Sequence, residues 1–102
     1  MRRGVNAEPS AVRARAEATA IEALGFLAAE PERLARFLAL SGLGPGTLRQ
    51  AAAEPGFLLA VLDHLAADEP LLIAFAAAKG LDPSAVVAAR VSLAGRPPGF
   101  VP

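Results

Sequence analysis

His64 is the one histidine in the chain, and Asp68 stands four residues beyond it. On a helix that spacing puts imidazole and carboxylate on one face. Half a metal site would look like this, but two ligands do not hold a metal. The sequence offers no second histidine and no cysteine to complete the set. The pair therefore reads as a surface histidine beside a capping aspartate. Nucleophilic catalysis needs a nucleophile, a base and a group that orients the base. The hydroxyls are Ser10, Thr19, Ser41, Thr47, Ser84 and Ser92, and none has a histidine near it in sequence. Ser10, Ser41 and Ser84 fall at expected helix boundaries, where end effects account for them. No enzyme activity and no cofactor are expected.

A second kind of chemistry is offered by Leu40-Ser41-Gly42-Leu43-Gly44-Pro45-Gly46-Thr47. It resembles a helix-hairpin-helix, whose Gly-hydrophobic-Gly turn lets backbone amides approach a DNA phosphate. Gly42, Gly44 and Thr47 match that pattern, and the N-terminus of the following helix would favour the anion. Two departures weigh against it. No lysine follows the turn, only Arg49, and a later copy of the turn carries Asp82 where Gly44 stands, a charge that would repel phosphate. DNA-backbone binding is the alternative reading, and a structural turn between packed helices is preferred.

Composition narrows the field further. Ten basic and ten acidic residues leave no net charge, which argues against nonspecific binding to nucleic acid or to an anionic membrane. The absence of cysteine excludes disulfides and thiolate metal sites. Arg2 and Arg3 are not followed by a continuous apolar run, so a secretory signal is not expected, nor is a membrane helix, and the expected location is the cytoplasm. Hydrophobic residues make up 54% of the chain but aromatics only 5%, all Phe. The core must rest on Leu, Val, Ile and Phe, with close helix packing through Ala and Gly.

The elements that position these residues are all helical, since no stretch alternates with a period of two. Ser10 can cap a first helix to about Ala29, with Ala20, Ile21, Leu24, Leu27 and Ala28 on its buried face. Gly25 inside it suggests a close helix crossing. Pro31 starts a second helix to Ser41, with Leu34, Phe37 and Leu38 as its stripe. A short third covers about Pro45–Ala53, anchored by Leu48 and broken by Pro55-Gly56. A fourth runs over about Gly56–Ala67 through Leu58, Val61, Leu62 and Leu65. Asp68 can cap a fifth, reaching Lys79 through Leu72, Phe75 and Ala76. Pro83 opens a sixth to about Ala94, with Val86, Ala89, Arg90 and Leu93 on one face. Gly42 and Gly80 each leave a helix at positions that call for positive φ.

The two glycine turns belong to a longer echo. With an offset of 38 residues, nine of the 22 positions in Leu27–Leu48 are identical to those in Leu65–Val86, including Phe37/Phe75, Gly42/Gly80 and Pro45/Pro83. This predicts an all-α fold of about six short helices, arranged as two three-helix repeats over residues 16–53 and 54–94 in one domain of residues 10–94. Residues 1–9 read as a flexible arm and residues 95–102 as a flexible Pro/Gly-rich tail.

The run Phe26-Leu27-Ala28-Ala29-Glu30-Pro31-Glu32-Arg33-Leu34, with Phe37-Leu38-Ala39-Leu40-Ser41-Gly42-Leu43 and Gly80-Leu81-Asp82-Pro83, resembles a small alphaproteobacterial family catalogued as a domain of unknown function. The resemblance covers roughly Glu17 to Leu93. It implies an all-helical cytoplasmic protein and carries over no catalytic or binding residue. The function expected from the residues themselves is a noncatalytic helical scaffold or protein-interaction module. Its partner would be another protein or a second copy, not nucleic acid or a membrane. Phe57, Leu71 and Ile73 lie off the helical stripes and are the candidates for an exposed apolar contact patch.

Overall fold

Alanine-rich stretches punctuated by proline and glycine fold as α1 (Pro9–Ala28), α2 (Pro31–Ser41), a 3₁₀ turn (Pro45–Thr47), α3 (Leu48–Ala52), α4 (Phe57–Ala66), α5 (Glu69–Lys79) and α6 (Pro83–Ala94). The computed structural model describes residues 9–52 and 56–95, and no strand occurs among them. The arm, the Pro/Gly-rich tail beyond Gly95, the break at Pro55 and the side chain of Leu48 lie outside the described residues. Prolines open α1, α2 and α6 and stand second in α5, in first turns where no intrahelical N–H bond is lost. Because Pro9 already begins α1, Ser10 sits inside the first turn and is not the N-cap expected of it.

Both glycine turns end their helices in the same way. Gly42 has φ 78° and Gly80 φ 67°, the left-handed conformation that glycine adopts without a Cβ clash. In each turn the next residue closes a bond back to the last helical turn: Leu43 N–H to Leu38 O at 3.0 Å, Leu81 N–H to Ala76 O at 2.8 Å. Leu43 and Leu81 then pack, partly buried, against the core. Entry into the helices that these turns end also recurs, with Leu34 N–H on Glu30 O and Leu72 N–H on Asp68 O.

The likeness stops at the third helix. α6 runs for 12 residues, whereas its counterpart is a 3₁₀ turn followed by five residues of α3. α6 packs along α1 and α4, while α3 rests on α4 and the 3₁₀ turn. The packing is thus not that of two equivalent three-helix units. Asp82 caps a full helix through Ser84 N–H, whereas Gly44 in the corresponding place has no side chain to do so.

α1, α4 and α6 pack on one another, with α2 against α1 and α4 and α5 against α4 and α6. Leu27, Phe37, Val61, Leu62, Leu65, Phe75 and Val86 are fully buried between them. On α1 the buried positions are Ala16, Ala20, Ala23 and Leu27. Of the expected face, Ala20 and Leu27 are fully buried and Leu24 packs partly buried against the core, whereas Ile21 is 58% exposed and Ala28 is exposed. A Cβ added at Gly25 would meet nothing within 4 Å, so no close crossing accounts for that glycine. No single helix among the described residues is long and apolar enough to cross a membrane, and α5 and α6, which together would be, meet at 106°.

Candidate functional site

Three places on this frame carry polar groups or open apolar surface. The first is the Gly42 turn. Gly44 N–H donates to Thr47 Oγ1 at 3.2 Å, and the same hydroxyl donates back to Gly44 O at 3.0 Å. Thr47 N–H also donates to Gly44 O. The Gly44 amide that a phosphate would need is therefore already bonded. The helix that follows is too short to add a useful dipole. Arg49 is exposed beyond it. Gly44 and Thr47 are brought together as a self-contained turn after Gly42, and no bond joins Arg49 to it among the described residues.

The second place is the corner where α4 meets α5. His64 is half-buried, not a surface group as expected, and its ring stands edge-on to Phe37 of α2 at 5.2 Å between centroids. Phe37 in turn meets Phe57 at 6.0 Å. His64 Nε2 is sealed from solvent and has no hydrogen-bond partner among the described residues. Burial pushes the imidazole below its ordinary value of 6.5, opposed by the Asp68 carboxylate and aided by the Arg36 guanidinium. Asp68 does cap α5, its Oδ1 accepting from Leu71 N–H at 3.2 Å.

Two clefts flank the ring. One, of about 300 Å³, includes Arg36, Leu40, Asp68 and Glu69. The other, of about 270 Å³, includes Phe37, Ser41 and Asp63. Ser41, His64 and Asp63 thus share a cleft, which sequence spacing did not suggest. Their bonds are not those of a catalytic triad. Ser41 Oγ donates to Phe37 O at 2.7 Å, and Asp63 accepts from Arg90 Nε of α6. No group of three or more metal-ligating side chains occurs among the described residues.

The third place is a groove of about 340 Å³ between α1 and α6. It is lined by Ala16, Ala85, Ala88 and Ala89, with Val12, Leu81 and the polar Arg15, Thr19 and Ser92 among its other residues. Val12 is 45% exposed. The sequence signal for it was the run of small residues on α6, which helical propensity alone also explains. The expected apolar patch is not formed. Phe57 is only 4% exposed because it packs on Phe37, and Leu71 is partly buried against the core. Of the three, Ile73 stands out at 49% exposure.

These features define a small all-helical domain in which Thr47, Asp68, Asp82 and Ser84 are engaged in its own turns and caps. The chain belongs to the family of proteins of unknown function DUF3572, whose model matches residues 13–96. That span is wider than the Glu17–Leu93 resemblance and says nothing of taxonomic origin. No curated protein and no solved structure matches the chain.

Proposed function

We propose that the protein is a noncatalytic helical interaction module of the cytoplasm, whose partner is another protein or a second copy of itself. The observation that carries this reading is the α1–α6 groove, an apolar trough of small side chains with the exposed Val12 among its linings. Alanines let a partner's side chain approach the helix backbones closely, and the groove is large enough to receive one bulky apolar group. Noncatalytic character is supported by the Ser41 hydroxyl bonded to its own helix and the Asp63 carboxylate held by Arg90.

A photoreactive residue placed at Ala85 tests the reading. It should crosslink in cells to one protein or to a second copy, and the adduct should disappear in Ala88→Glu. Adducts no different from those of the same residue placed at Lys79 would end the proposal. Labelled DNA separates it from the nucleic-acid reading. Binding no better than about 10⁻⁴ M at physiological salt is expected, the weak end of nonspecific association. Micromolar binding that falls steeply with salt and is lost in Arg49→Ala would favour the hairpin instead.

A further inference from the structure

His64 is placed where three elements meet. It lies near the end of α4, the α5 N-cap follows four residues later, and α2 lies against its ring through Phe37. A neutral imidazole can present one edge without a proton, but an imidazolium carries N–H on both nitrogens. The buried Nε2 meets no acceptor among the described residues. A second ring proton would therefore place a charged donor in the α2–α4 seam, where nothing receives it.

The charged groups lining the clefts around the ring are Arg36 of α2, Asp63 of α4, Asp68 at the corner and Glu69 of α5. Arg36 opposes an imidazolium. Asp68 favours one, but its carboxylate is engaged with Leu71 N–H, and Asp63 is engaged with Arg90. Desolvation is the largest influence on the ring and outweighs the attraction of Asp68. Relief comes most readily by movement of α2. α1, α4 and α6 hold one another without it, and its contact with α4 is sparser than its contact with α1.

We propose that His64 is an acid-sensitive latch, whose protonation releases α2 from α4 and uncovers Phe37 and Phe57 while the α1–α4–α6 core stays folded. The latch stands independently of the interaction reading. The sign follows from linkage. The closed seam holds a ring that resists protonation, and the open seam leaves it near 6.5. Closure is thus fully favourable above that value and weakens as pH falls below it. The loss levels off once the closed form also takes up a proton.

Amide hydrogen exchange of the full chain, corrected for intrinsic rates, reads this directly. Between pH 7.5 and pH 5, α2 amides of the wild type should lose protection by up to about tenfold per pH unit below the ordinary histidine range, with α6 amides unchanged. His64→Phe should hold α2 protection flat with pH, and His64→Leu serves if the phenyl ring prevents folding. Flat α2 protection in the wild type would overturn the latch. So would an equal loss in the histidine-free variants, or a loss running in parallel through α6, which would mean global destabilisation.

Discussion

Ile21 and Ala20 are neighbours with opposite fates. Ile21 is 58% exposed, and Ala20 is fully buried. Hydrophobicity alone ranks them the other way, and that is why the sequence placed Ile21 on the buried face alongside Ala20, Leu24 and Leu27, which do belong there. What decides it is distance: α1 lies against both α4 and α6, and a stripe of Ala16, Ala20 and Ala23 lets the helices approach more closely than isoleucine would. Chemical denaturation should therefore invert intuition. Ile21→Ala should change stability by no more than about 0.5 kcal/mol, the scale of surface substitutions. Ala20→Leu should cost about 1–3 kcal/mol by overpacking. The His64 corner was illegible for a related reason. The i,i+4 spacing to Asp68 was visible, but the ring's burial depends on Phe37, a distant residue.

At the scale of the elements, most of the punctuation was readable. Proline, glycine and aspartate act on their immediate neighbours, so Gly42, Gly80, Asp68 and Asp82 do what their types dictate. Gly42→Ala and Gly80→Ala should each destabilise by about 1 kcal/mol or more, because no L side chain is comfortable at these φ values. The open space around both positions rules out a clash with the rest of the fold, so the cost is local to the backbone. Thermal melts of the double variant should show the two losses adding.

Asp82 supplies a pH-dependent check. Backbone and side-chain bonds from Ser84 hold its carboxyl below the ordinary value of 3.8. Its folded value is depressed, so its stabilisation is present above the ordinary carboxylate range and is lost as pH falls through the folded value. The stability gap between wild type and Asp82→Asn should be open near neutral pH and should close in acid. A gap that persists there would point to shape and not charge.

At the scale of the molecule, the offset of 38 residues correctly marked two like corners but did not determine how the third helices pack. The reason is again long-range. α6 is held by Val86, Ala89 and Leu93 in the core, whereas the residues after Gly42 form a 3₁₀ turn and α3, a short element with less helical surface to bury. Deleting residues 83–102 should leave α1 and α4 without their shared partner, and circular dichroism with heating should show no cooperative transition. A sharp melt from the truncated chain would mean that α1–α5 is autonomous.

The pairing of α1 with α6 also sets the timing of assembly. α1 ends at Ala28 and α6 begins only at Pro83, so their seam cannot close until the intervening helices have left the ribosome. Until then, the side of α1 that faces α6 has to wait in water. Ala16, Ala20 and Ala23 present little apolar area while they wait, since the adhesive tendency of an exposed side chain grows with its surface. The residues that let the finished helices sit closest are thus also among the least sticky that the growing chain could carry.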